Sequence, residues 1–70
     1  MASLAPLQLT HRQAEVLLWV ARGKTNAEIA NILCLSPRTL HKHVESIFVR
    51  LNVESRTAAA RAFEASRQGP

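Results

Sequence analysis

Apolar residues between positions 37 and 51 recur at the three- and four-residue spacing of one side of an α-helix. A rotation of ~100° per residue puts them on a single stripe along the predicted helix. Such a stripe faces a protein core, because only burial removes its apolar surface from water. The residues of the stripe are Leu40, Val44, Ile47 and Leu51, with Phe48 at its edge.

The opposite side of this predicted helix is polar and mostly basic. A helix with one apolar and one charged side lies at a protein surface, where the charged side meets either solvent or a partner. The pattern alone leaves both interpretations open. The polar residues are Arg38, His41, Lys42 and Glu45, flanked by Thr39 and Arg50.

Signals that begin a helix occur at four places in the chain. Thr10 is followed three residues later by Gln13, which predicts a capping box that satisfies two backbone N–H groups reciprocally. Thr25 and Glu28 have the same relation and predict a second capping box. The other two candidate caps are Ser36, which stands before a proline suited to the first helical position, and Ser55.

Signals that end a helix complete the outline. Gly23 suits the left-handed position after the first helix, and Asn52 suits it after the third. We therefore predict an all-α fold, a small four-helix domain at about residues 7–66, between a flexible N-terminal segment 1–6 and a loose C-terminal end 67–70. The predicted helices are 11–22, 26–33, 37–51 and 56–66.

The second and third predicted helices are joined by only three residues, Cys34, Leu35 and Ser36. So short a connection favours two helices that cross at a steep angle, as in a helix-turn-helix. In that motif the second helix enters the major groove of DNA with its N-terminal half against the base edges. The predicted base contacts are the polar residues of that half, Arg38, His41, Lys42 and Glu45.

These residue types have partners in DNA. Arginine and lysine bind the O6 and N7 atoms of guanine, and glutamate accepts from the N4 amino group of cytosine. Thr25, Ser36 and the free N–H groups at the two helix starts suit phosphate oxygens.

The length and composition of the chain limit the classes of function that it can have. The chain has 70 residues, 47% of them hydrophobic, and a formal charge of +4. Its length allows one domain with a modest core and little room for a substrate pocket, so an enzyme is not expected. The basic balance favours an anionic partner. No apolar run is long enough for a membrane helix and the single cysteine forms no internal disulfide, so a cytoplasmic location is expected.

The histidines and the cysteine do not predict a metal site. His41 and His43 point ~200° apart on a helix, and one cysteine does not complete a zinc set. We expect neither metal nor cofactor. Cys34 is interpreted as a small apolar filler, with a redox sensor as the alternative. His43 is either half-buried and hydrogen-bonded within the domain or a DNA contact.

The fourth predicted helix carries small and apolar residues over two turns. They either pack on the domain's own core or contact a second subunit, and the pattern does not separate these two. A rival function follows from the second option, a protein-interaction module that docks a partner through this helix. The residues are Ala59, Ala60, Ala62 and Phe63.

Motifs spread over most of the chain resemble one known family. The segments, in chain order, are Leu9-Thr10-His11-Arg12, Glu15-Val16-Leu17, Ala21-Arg22-Gly23-Lys24-Thr25-Asn26, Glu28-Ile29-Ala30, Leu33, Ser36-Pro37-Arg38-Thr39-Leu40, His43-Val44, Ile47, Leu51-Asn52-Val53 and Arg56-Thr57. Their order and spacing resemble the LuxR/GerE family of DNA-binding domains over about residues 7–65.

The resemblance implies a bacterial transcription-regulator domain that binds double-stranded DNA as a homodimer, with the fourth helix as the dimer contact. The family usually places this domain at the C-terminus of a longer regulator. The base-reading positions implied by the resemblance are His41, Lys42 and Glu45. The implied backbone-contacting positions are Thr25, Asn26, Ser36, Thr39, His43 and Arg50.

The sequence departs from the family pattern at four positions. His41 stands where many members have lysine, which makes the local charge dependent on pH. Glu45 is an anion within the proposed contact surface, so it needs a cytosine amino group or a neighbouring cation. Asn52 replaces the usual glycine, and Gln13 replaces a usual glutamate.

Overall fold

A computed structural model describes residues 9–67, and over that range the secondary structure is entirely helical. The four predicted helices are confirmed, with ends that differ by one residue in the first and the last. The segment 1–6 and residues 68–70 lie outside the described residues, whereas Arg67, expected in the loose end, is the last residue of a helix. The helices are α1 (His11–Ala21), α2 (Asn26–Leu33), α3 (Pro37–Leu51) and α4 (Arg56–Arg67).

Both predicted capping boxes are present. At the start of α1, the Thr10 N–H donates to Gln13 Oε1 (3.0 Å) and the Gln13 N–H donates to Thr10 Oγ1 (3.1 Å). At the start of α2, the Thr25 N–H donates to Glu28 Oε1 (2.8 Å) and the Glu28 N–H donates to Thr25 Oγ1 (3.2 Å). Gln13 therefore replaces a glutamate without loss of the reciprocal bonds.

The other two helices begin at serine caps. The Thr39 N–H donates to Ser36 Oγ (3.1 Å), and Pro37 occupies the first helical position of α3. The Ala58 N–H donates to Ser55 Oγ (3.1 Å) at the start of α4. Local side-chain chemistry thus sets all four helix starts.

Three helices end at a residue in the left-handed region. Gly23 has a φ of 88°, and Cys34 and Asn52 each have a φ of 57°. After each of these the chain leaves the helix through paired hydrogen bonds to the last turn, as in a Schellman motif. The interpretation of Cys34 as an apolar filler is wrong, because its side chain is exposed at this helix end.

The core lies where the four helices meet. α1 packs most extensively against α4 and then against α3, whereas α2 packs mainly against α3. No helix within residues 9–67 has the length and apolar composition needed to cross a membrane. The buried apolar residues that form one contiguous cluster are Val16, Leu17, Val20, Ile29, Ala30, Leu40, Val44, Ile47, Ala59 and Phe63.

Candidate nucleic-acid interface

The helix α3 has one buried and one exposed side, as its sequence predicts. Leu40 and Ile47 are 0% and 1% exposed and Val44 is also buried, so the apolar stripe forms part of the core. The four predicted base-contact residues are all exposed on α3, namely Arg38, His41, Lys42 and Glu45.

The exposed side of α3 carries a net positive charge, and α4 carries an equal one from three arginines and one glutamate. Arg38, Lys42 and Arg50 are cations and Glu45 is the helix's one carboxylate, which leaves α3 with +2 of the chain's +4 when histidines are neutral. A helix that holds half of the net charge on its solvent side attracts a polyanion.

An open, shallow depression runs along the exposed side of α3. It is lined by Lys42, Glu45, Ser46, Val49 and Arg50, and Val49 is 79% exposed. Ser46 and Val49 were not among the predicted site residues. Their spacing of four and seven residues from Lys42 is a helical signal by which they could have been found.

Glu45 has a histidine partner one helical turn away. His41 Nε2 lies 3.1 Å from Glu45 Oε2, and the two side chains are 64% and 65% exposed. The neighbouring group that Glu45 requires is therefore supplied from within α3 by His41.

The starts of α2 and α3 present exposed hydroxyl residues next to the first turns of two helices. Thr25, Ser36 and Thr39 are exposed, and Ser36 Oγ donates to Thr39 Oγ1 at 3.0 Å. Free N–H groups and the helix dipole make such starts favourable for anions. Of the other predicted phosphate contacts, Arg50 is exposed and His43 is half-buried.

A contact between distant parts of the chain holds the start of α2. The Arg56 guanidinium, at the first residue of α4, donates to Asn26 Oδ1 (2.6 Å) and to the Lys24 backbone oxygen (2.6 Å). The sequence predicts no site role for Arg56, because the contacts span 30 and 32 residues and leave no local signal. Asn26 is half-buried, and its amide nitrogen is the part still suited to donate to a phosphate.

The capping carboxylate of α2 has an altered acidity. The hydrogen bond from the Thr25 backbone N–H to Glu28 lowers the pKa of that carboxyl below its ordinary value of 4.5. An ionised carboxylate at a helix start also interacts favourably with the helix dipole.

The fourth helix uses part of its predicted dimer surface internally. Ala59 is 0% exposed and Phe63 is 5% exposed, and both belong to the domain's own core. These two residues therefore have almost no surface to offer a second subunit in this fold. Ala60 and Ala62 are half-buried and keep some accessible surface.

The described residues do not bring together a metal-binding set. Within residues 9–67, no group of three histidine, cysteine, aspartate or glutamate side chains is placed to hold a metal ion.

Known proteins match most of this chain. The family model described as bacterial regulatory proteins, luxR family, matches residues 7–63. The transcriptional activator protein AnoR of Acinetobacter nosocomialis is 44% identical over 54 residues, which are 77% of this chain and 23% of AnoR. The response regulatory protein YgeK of Escherichia coli (strain K12) is 50% identical over 48 residues, 69% of this chain and 33% of YgeK. The transcriptional regulatory protein LiaR of Bacillus subtilis (strain 168) is 42% identical over 52 residues, 74% of this chain and 25% of LiaR.

The four helices and the exposed basic side of α3 define a helix-turn-helix domain that binds DNA in transcription regulation. The chain belongs to the luxR family of bacterial regulatory proteins. It spans between about a quarter and a third of the length of these three relatives.

Proposed function

We propose that α3 lies in the major groove of double-stranded DNA with its N-terminal half against the base edges. The observation that carries this proposal is the division of α3 into an apolar side packed on the core and a polar side exposed to solvent. A buried stripe fixes the helix in the domain, so the polar side chains project from a rigid support. The base-reading residues are Arg38, His41, Lys42 and Glu45.

Phosphate contacts then come from residues around the two helix starts and from the flank of α3. Such contacts set the register of the protein on the duplex and make affinity depend on salt. Exposure of Thr25, Ser36, Thr39 and Arg50 supports this assignment. The full set is Thr25, Asn26, Ser36, Thr39, His43 and Arg50.

The third part of the proposal is a homodimer on DNA, formed through α4 in the cytoplasm. Two copies would read half-sites about one helical turn, roughly 34–36 Å, apart. The accessible part of α4 at Ala60 and Ala62 supports the contact, while Ala59 and Phe63 hold the helix on its own core.

A titration with labelled duplexes tests the base-reading assignment. A site selected from a random pool and a mixed duplex are each titrated over a range of salt concentrations. Lys42→Ala is expected to weaken binding to the selected site by about 1–3 kcal/mol and to relax base preference. Arg61→Ala is the matched control, because it removes the same charge from an exposed position on α4.

Equal losses on both duplexes would make Lys42 a phosphate contact only. Equal losses from Lys42→Ala and Arg61→Ala would mean that net charge, rather than α3, determines binding. No binding to mixed duplex at low salt would exclude the DNA-binding function and favour the protein-interaction alternative.

Sedimentation velocity tests the dimer. We expect two copies on a duplex that carries two half-sites, and we expect Ala62→Glu to leave one copy bound to each half-site independently. A second copy that binds Ala62→Glu as cooperatively as the original chain would exclude α4 as the contact.

A further inference from the structure

We propose that Glu45 selects a cytosine through its N4 amino group. We also propose that His41, named above among the base-reading residues, takes part in base reading only as a positioning residue for the Glu45 carboxylate and makes no base contact of its own. The inference rests on the proposed placement of α3 in the major groove and names the base that one position of α3 reads.

The geometry leaves Glu45 ready to accept one more hydrogen bond. His41 Nε2 lies 3.1 Å from Oε2, and a carboxylate has acceptor sites on both oxygens. The Glu45 side chain is 65% exposed, so its carboxylate is accessible to a donor from outside the domain. A donor in the groove can therefore be met without breaking the contact to His41.

An ionised carboxylate only accepts, which restricts the bases it can meet. The major-groove edges of guanine and thymine present acceptors, whereas cytosine N4 and adenine N6 are donors. Adenine also carries the N7 acceptor next to N6, which repels a carboxylate, whereas cytosine presents its donor alone. Cytosine is therefore the base that fits Glu45.

A contact that holds the Glu45 carboxylate in place reduces two unfavourable terms for an anion close to DNA, the loss of side-chain entropy and the repulsion from the phosphates. An exposed glutamate samples several rotamers, and binding a base restricts it to one of them at a cost in conformational entropy. A contact made within α3 restricts the rotamers before DNA binds, so less entropy is lost on binding. Repulsion from the phosphates is also reduced when a donor lies against the carboxylate. His41 Nε2 lies close enough to the carboxylate to donate to it, and Lys42 lines the same depression as Glu45 and adds a cation.

The chain contains a matched control pair. His11 and Glu15 on α1 have the same spacing, with His11 Nε2 at 3.9 Å from Glu15 Oε2. Changes at these two residues repeat the chemistry of the test on a helix outside the proposed interface.

The experiment is selection from a random duplex pool with the 70-residue chain and its variants, after circular dichroism has verified their helicity. The original chain is expected to enrich cytosine at one position of each half-site by about tenfold or more over the other bases. Glu45→Gln is expected to move that position to adenine, because glutamine bonds the N6 and N7 atoms of adenine together. Glu15→Gln is expected to change nothing.

The positioning role of His41 is tested with one variant that removes the donor and one that restores it. His41→Ala is expected to lower the cytosine preference several-fold while binding to mixed duplex is retained. His41→Gln, whose amide also donates to a carboxylate, is expected to restore the preference. His11→Ala is the control and is expected to leave the preference intact.

Three results would overturn the inference. Glu45→Ala could raise affinity for every duplex equally, which would make Glu45 only a source of repulsion. The original chain could select no cytosine, or a cytosine that is indifferent to Glu45. His41→Ala could leave the preference unchanged, which would remove the positioning role. Failure of the proposed function is distinguishable, since base preference would then be absent at every position and insensitive to Lys42→Ala.

Discussion

The two longest helices, α3 and α4, use their outer surfaces differently. α3 buries large aliphatic residues and exposes a basic side, whereas α4 buries Ala59 and Phe63 and borders its core with half-buried alanines. α4 also holds the start of α2 through Arg56. If α3 contacts DNA as proposed and α4 supports the fold, substitutions in the two helices should separate DNA binding from stability.

The largest effect is expected in α4. Phe63→Ala is expected to lower the free energy of unfolding by about 3–5 kcal/mol, because it leaves a cavity in the core. A core of this size supplies little more than that, so the variant should be largely unfolded. Urea denaturation followed by circular dichroism measures the loss, and Val49→Ala, at a 79% exposed position, is the control expected to show almost none. A stably folded Phe63→Ala would show that α4 is dispensable for the fold.

The next effect concerns the link between α4 and α2. Arg56→Ala is expected to cost about 1.5–3 kcal/mol of stability, since it removes charge-assisted hydrogen bonds to Asn26 and to the Lys24 carbonyl. Arg56→Lys should recover only part of the lost stability, because an ammonium group cannot reproduce the two parallel N–H donors of the planar guanidinium. Thermal unfolding measures both variants. Full recovery by lysine would contradict the geometric role.

A smaller effect is expected at the start of α3. Ser36→Ala is expected to cost about 1 kcal/mol, because the Thr39 N–H loses the oxygen that accepts its hydrogen bond. The change should also weaken binding to mixed duplex if Ser36 contacts a phosphate. Ser46→Ala, in the exposed middle of the same helix, is the control, and an equal loss of stability there would exclude the capping explanation.

The smallest effect concerns acidity at the start of α2. The lowered pKa of Glu28 means that its stabilising contribution is present above the ordinary value of 4.5 and is lost as the pH falls through the lowered pKa. The Thr25 amide resonance, followed by NMR from pH 6 to pH 2, should shift with a midpoint below 4.5. Glu28→Gln should abolish that titration while it keeps the capping box. A midpoint at or above 4.5 would contradict the assignment.

Much of the fold and the two-sided character of α3 could be predicted because the determining interactions are local. Helix starts depend on side chains three residues away, such as Thr10 with Gln13. Helical periodicity alone separated the buried Leu40 and Ile47 from the exposed Lys42. The resemblance supplied what periodicity lacked, the choice between a solvated surface and a DNA-binding one.

The amino-acid sequence by itself determined the four helices, the caps and the two-sided pattern of α3. Only the tertiary structure decided that Arg56 holds the start of α2 and that Phe63 belongs to the core of its own domain. It also decided that Cys34 is exposed at the turn between α2 and α3. The physical reason is that periodicity shows which residues share a side of a helix, whereas the neighbour that covers that side is chosen by contacts between residues far apart in the chain.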